Sequence, residues 1–211
     1  MKKLFLDLDG TVAKFNVKNA LKRFDNEKGF FAKLGAYVGI ENLNELAKNG
    51  NLYIISASPN KNADLDKMVW IEKYLPNIPK NNITICRLGE NKAQIIQEKY
   101  QIKINQNCLL LDDYSQNLFQ WEEMGGTGVK RLTSVADNSR GLWKGLSIKN
   151  LKEIAEILAW HKKCQAFDIL LTFGGTRSTL LRPMSVKKCK FTLFDIENLF
   201  DRQKLLFLKL M

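Results

Sequence analysis

The sequence predicts an α/β fold, a parallel sheet flanked by helices. Two observations carry that expectation. Short apolar runs recur through the first 132 residues, each stopped by polar or turn-forming residues, and segments with helical spacing lie between them. The runs are apolar on consecutive residues, the pattern of strands buried on both faces of a sheet.

The elements follow in order. KLFLDL (3–8) is the first strand, ended by a glycine-containing turn. The stretch from about 14 to 50 breaks the rhythm. It is mostly helical in pattern, rich in Phe, and longer than one crossover helix needs. We read it as a small helical insert, about 14–40, followed by a crossover helix near 41–49. NLYIIS (51–56) is the second strand, ended by Pro59, and NITICRL (82–88) is the third. NKAQIIQEKYQI (91–102) has apolar residues at helical spacing. NCLLLDD (107–113) is the fourth strand. SQNLFQWEEMGG (115–126) is a helix with Ser115 as its N-cap and glycines at its end. TGVKRL (127–132) is a weaker fifth strand. In such folds ligands bind beyond the carboxyl ends of the strands.

After about residue 160 the character changes. FDILLTF reads as a strand and DIENLFDRQKLLFLKLM as an amphipathic helix, with no clear place in the sheet. Residues 1–158 are taken as one domain and 159–211 as a basic C-terminal extension. The formal charge is +11, of which +6 falls within 161–211, where ten Lys/Arg face four Asp/Glu. Such a balance favours anionic partners.

Composition also excludes. The longest apolar stretches fall far short of the ~18 residues a membrane helix needs. Asp7 ends the first apolar run too early for a signal peptide. The expectation is a cytoplasmic protein with no membrane partner; oligomeric state stays open. Cys86, Cys108, Cys164 and Cys189 show no CxxC spacing and read as buried free thiols. His161 is the single histidine. Residues 1–160 therefore hold no Ser-His-Asp triad, Cys-His pair or histidine-rich metal site. Chemistry there must rest on carboxylates, lysines, hydroxyls and a hard metal ion.

Asp7 and Asp9 follow the first apolar run, where residues two apart on an extended strand point the same way. Asp112 and Asp113 close a second such run. Acids at two strand ends suggest one carboxylate cluster, and clustered carboxylates with all-oxygen ligation suit Mg²⁺. Ser56 and Ser58 lie at another strand end, in IISASP. Lys92 opens a helix, where its ammonium and the helix N-terminus both attract an anion. Together these describe a phosphate site. Phe24, Phe30 and Phe31, at loose helical spacing, read first as core; any that face the site would stack on a base. Trp143 and Lys144 read as ordinary packed and surface residues.

The ordered set DLDGT, a serine at the second strand end, Lys92 and LLLDD resembles the four motifs of the haloacid-dehalogenase-like (HAD) phosphohydrolases. DLDGTVAKF, the Phe-rich insert, the SASP turn and LLLDDYSQNL resemble the 5'(3')-deoxyribonucleotidase group within it, over about residues 1–158. The resemblance implies a Rossmann-like sheet with a small helical cap after the first strand. It implies Asp7 as nucleophile, forming an aspartyl-phosphate, and Asp9 as general acid and then base. Asp9 distinguishes phosphate chemistry from the dehalogenase branch, which lacks an acid there. Mg²⁺ would be held by Asp7, the Asp9 backbone carbonyl and one of Asp112 or Asp113, with Asp113 preferred. Ser56 or Ser58 would hold the phosphate with Lys92; Arg87 is a weaker candidate.

The expected activity is Mg²⁺-dependent hydrolysis of a small phosphomonoester, foremost a deoxynucleoside monophosphate. The alternatives are a polynucleotide 3'-phosphatase that uses the basic tail and a non-catalytic nucleic-acid-binding protein on the same scaffold.

Overall fold

The computed structural model describes residues 2–15, 28–133 and 142–159. Six parallel strands form one sheet in the order β3-β2-β1-β4-β5-β6. They are β1 Lys3–Leu6, β2 Leu52–Ser58, β3 Ile83–Arg87, β4 Cys108–Asp112, β5 Thr127–Arg131 and β6 Leu146–Ile148. The helices are α1 Ile40–Ala47, α2 Lys61–Tyr74, α3 Lys92–Tyr100 and α4 Ser115–Glu123, with a 3₁₀ turn at Lys80–Asn82 and a further helical segment at 153–159.

Alternate residues of the strands serve opposite faces. Leu4, Leu6, Leu52, Ile54, Leu109, Leu111 and Val129 pack with Leu43 of α1, Trp70 and Ile71 of α2, and Ile154. Phe5, Ile55, Cys108 and Leu110 pack with Ala93 and Ile96 of α3 and Leu118 and Trp121 of α4. Both faces are thus covered, which is why β1, β2 and β4 carry apolar residues at consecutive positions.

The register places the site. Leu6 lies beside Ile54 on one side and Leu111 on the other. Asp7, Ser56 and Asp112 therefore emerge near one level at the carboxyl edge, where β1 lies between β2 and β4.

Four features differ from expectation. The helix before β2 spans Ile40–Ala47, a little earlier than 41–49. α2 is unanticipated because its face pattern is mixed: Leu65 and Val69 are exposed while Lys67 is buried beside Trp70 and Ile71. β6, a three-residue strand beside β5, is also unanticipated. Ser115 is the first helical residue of α4 rather than its cap, which is Tyr114. The Ser115 hydroxyl instead accepts a hydrogen bond from Lys130 Nζ at 2.7 Å, while Asp112 Oδ1 accepts the Tyr114 N–H at 2.8 Å.

Part of the expected insert (16–27, with Phe24) and the tail beyond 159, with the strand and helix expected there and with His161, Cys164 and Cys189, lie outside the described residues. Cys86 and Cys108 are buried free thiols, and Trp143 is buried in the second face's core. Among the described residues no helix is long and apolar enough to cross a membrane.

Trp121 is fully buried and its indole N–H donates to the Cys108 carbonyl at 2.8 Å. Trp121→Phe should lower stability by about 1–3 kcal/mol through the orphaned carbonyl and lost volume. Denaturant unfolding measures this, with an unchanged far-UV spectrum expected.

Candidate active site

The chain leaves β1 with Asp7 still paired to β4, its N–H donating to the Leu111 carbonyl at 3.0 Å. It then turns tightly. The Leu8 carbonyl accepts the N–H groups of Thr11, Val12 and Ala13 at 3.2, 3.0 and 2.8 Å. Gly10 makes the turn at φ +76°, and a Cβ there would lie 2.1 Å from Asp113 Oδ2. Only glycine satisfies both the backbone angle and the close approach. The Thr11 hydroxyl accepts the Asp113 N–H at 3.0 Å, tying the loop to the end of β4. Arg131 Nε donates to the Thr11 carbonyl at 3.2 Å, tying it to β5. Asp7 and Asp9 thus stand just past the strand, on a loop bound to its neighbours.

Two lysines divide these carboxylates between them. Lys92 is the first residue of α3, whose start is fixed by Asn91 Oδ1 accepting the N–H groups of Ala93 and Gln94 at 2.9 and 3.3 Å. Its Nζ donates to Asp7 Oδ1 and to Asp112 Oδ2, both at 2.7 Å. All three side chains are buried. Burial works against the Lys92 charge, but Asp112 and Asp7 outweigh it and hold its pKa above the ordinary lysine range. Asn117 Nδ2 donates to Asp112 Oδ2 at 2.9 Å.

Lys67, on α2, serves Asp9. Its buried ammonium pairs with Asp9 Oδ2 and also donates to Ser56 Oγ at 3.0 Å and the Ala57 carbonyl at 2.5 Å. Burial raises the Asp9 carboxyl above its usual range, with Lys67 opposing and Asp7 adding to the rise.

Asp7, Asp112 and Asp113 each offer an oxygen within 4.8 Å of the others. Burial, with the charges of Asp112 and Asp7 added, pushes the Asp113 carboxyl well above its ordinary value. Burial raises Asp112 as well, against Lys92. A divalent cation among the three would remove the repulsion that adds to these rises.

The two serines separate. Ser56 is buried and shares Lys67 with Asp9. The Ser58 hydroxyl donates to the Asn60 carbonyl at 3.1 Å, at the start of α2. Arg87 turns away to form a two-pronged pair with Asp64, at 2.8 and 2.5 Å. Its hydrogen bond holds Asp64 below the usual carboxylate range.

Three phenylalanines gather beside Lys67. Its Nζ lies 4.9 Å from the centre of the Phe31 ring. Phe31 is stacked with Phe15 at 5.9 Å and meets Phe30 edge-on at 5.1 Å. Phe31 is buried, while Phe15 and Phe30 are half-buried. Neither Phe15 nor Lys67 stands out in the sequence. Phe15 lies just beyond the acidic loop, and Lys67 is hidden in an unanticipated helix. The signal for Lys67 is its place among the apolar residues Met68, Trp70 and Ile71.

Comparison with known structures places the fold. The chain is similar to a D,D-heptose 1,7-bisphosphate phosphatase from B. bronchiseptica complexed with magnesium and phosphate. The TM-score is 0.58 and the identity 13%, over 76% of this chain and 99% of that one. It is also similar to a family IA HAD hydrolase from Entamoeba histolytica, with TM-score 0.55 and 15% identity over 77% and 100% of the two chains. A haloacid dehalogenase-like protein from Streptococcus pneumoniae matches with TM-score 0.54 and 16% identity, over 74% and 98%. No curated protein sequence matches.

The α/β fold and the family match together define a HAD-type phosphatase. Residues 7–131, more than half of the chain, match the family described as 5' nucleotidase, deoxy (Pyrimidine), cytosolic type C, and the chain belongs to that family.

Gly10→Ala should cost about 1–3 kcal/mol from backbone angle alone, with the Asp113 overlap added. A lowered Tm in the metal-free protein checks it.

Proposed function

We propose that the protein hydrolyses deoxynucleoside monophosphates with Mg²⁺, through an aspartyl-phosphate on Asp7. The observation that carries this is the division of the acids: Asp7 lies in a carboxylate cluster held by Lys92, while Asp9, two residues on, has a raised carboxyl of its own beside Lys67. An ionised nucleophile and a protonated acid need such unlike surroundings.

In this reading an Asp7 carboxylate oxygen attacks phosphorus and the P–O ester bond breaks. Asp9 gives its proton to the leaving alkoxide. Water then attacks the phosphorus of the aspartyl-phosphate, losing its proton to Asp9, and phosphate leaves as the Asp7 carboxylate is restored. Lys92, Lys67 and Ser56 would bind the phosphoryl oxygens, each giving up or sharing its present carboxylate or hydroxyl contact. Ser58 remains a second candidate for the phosphate, although its hydroxyl is engaged at α2.

The carboxylate cluster fits a hard divalent cation. Asp7, Asp112 and Asp113 would hold it, with the Asp9 carbonyl. Mg²⁺ would supply positive charge beside the phosphoryl group. Asp113, which among the described residues has no lysine ion pair of its own, is the preferred partner of Asp7.

Family membership and the half-buried Phe15 and Phe30 support a nucleotide, whose base would lie against those rings. The same proposal takes 1–158 as the catalytic domain and 159–211 as an appended basic extension, in a cytoplasmic protein.

The test is phosphate release from deoxynucleoside 5'- and 3'-monophosphates and a 3'-phosphorylated oligonucleotide, with Mg²⁺ and with EDTA. Mononucleotides should be the better substrates, EDTA should abolish release, and Asp7→Asn should reduce it by about a thousandfold or more. Equal silence of wild type and variant on every substrate would overturn the proposal.

Metal binding has a separate readout. With no cation, Asp113 carries a raised carboxyl, so its charge opposes folding increasingly as pH rises from the ordinary carboxylate value through that raised pKa. Metal-free Asp113→Asn should therefore be at least as stable as wild type at neutral pH. Adding Mg²⁺ should raise the Tm of wild type and leave that of Asp113→Asn nearly unchanged, by thermal shift.

A further inference from the structure

α2 grips the segment that carries Phe30 and Phe31. Asp66 sends its two carboxylate oxygens to two backbone amides of that segment: the Gly29 N–H donates to Oδ1 at 3.2 Å and the Phe31 N–H to Oδ2 at 3.3 Å. One turn on, the Trp70 indole N–H donates to the Leu34 carbonyl at 2.9 Å. Between them, the Lys67 ammonium lies over the Phe31 ring while it holds Asp9. One face of one helix thus fixes both the acid and the aromatic wall. Phe31 is the hub of that wall, in contact with Phe15 and Phe30.

Asp66, among the described residues, hydrogen-bonds to this segment and to none of the proposed catalytic or phosphate-binding side chains. Among the described residues, it is the carboxylate whose two oxygens bracket two main-chain amides of one turn. Such a two-point bond fixes a loop's position and its tilt, which a single bond would leave free to pivot. The Gly29 turn, at φ +77°, presents its amide toward the helix.

We infer that Asp66 is a positioning residue for substrate specificity. It holds the Phe15–Phe30–Phe31 wall at a fixed distance from Asp9, and so sets the affinity for a phosphoester that carries a planar, stacking group. The inference rests on the nucleotide reading above. It predicts a division that a merely structural carboxylate would not show: recognition of the base suffers while the chemistry at phosphorus does not.

The experiment compares steady-state kinetics of the full-length Mg²⁺-loaded protein on deoxynucleoside 5'-monophosphates and on 2-deoxyribose 5-phosphate, which has no base. Wild type should prefer the nucleotides. Asp66→Ala should raise KM for the nucleotides about three- to tenfold, the value of one or two lost aromatic contacts, with kcat within twofold. Its kinetics on 2-deoxyribose 5-phosphate should stay within twofold of wild type. Asp66→Asn keeps the shape and one acceptor oxygen, and should fall between the two, which provides a second reading if Asp66→Ala does not fold. Equal losses on both substrates, or none on either, would overturn the inference while leaving the nucleotide reading intact. A wild type that turns over 2-deoxyribose 5-phosphate as well as the nucleotides would overturn both.

Discussion

The site depends on one buried ammonium. Lys92 bridges Asp7 and Asp112, and with them links α3, the loop after β1 and the end of β4. Isolated buried charges are costly, and each of these three is tolerable only because the others are present. The sheet register delivers the two acids at the same level, and the Asn91 cap delivers the lysine. Hydrogen bonds from Asn117 and the Tyr114 amide absorb what remains of the Asp112 charge. Packing on both sheet faces makes that alignment rigid.

The bridge does not balance the site. Asp7, Asp112 and Asp113 gather three acidic groups about Lys92, while the ion pair of Asp9 is with Lys67. The surplus shows in Asp113, whose carboxyl is driven well up by burial and by its acidic neighbours. A centre short of positive charge is suited to a divalent cation.

The carboxylates were legible in the sequence because an acid directly after an apolar run is costly to bury without a cation beside it. Lys92 was legible because it opens a helix in order with them. β1, β2 and β4 were legible as apolar runs, whereas three-residue β6 is too short to leave such a run. Lys67 was not legible. A lysine on the buried face of a helix contradicts the pattern by which helices are read, and the exposed Leu65 and Val69 blur that face further. Ser115 misled in the opposite way: a good capping residue was drawn one position inward by Lys130, while Asp112 took the neighbouring amide. Arg87 stood near the site in sequence but is claimed by Asp64, a partner visible only once α2 is in place. Phe15 became interpretable only when the fold set it against Phe31.

Within about two turns, α2 presents Asp64 to Arg87, Asp66 to the Gly29 turn, Lys67 to Asp9 and Trp70 to Leu34. Each residue of a helix is rotated about 100° from the last. Inserting or deleting one residue between Pro59 and Asp64 would swing all four contacts off target together. The two-residue link between β2 and α2, Pro59 and Asn60, therefore sets the rotational phase of the whole helix, and homologous chains should keep its length.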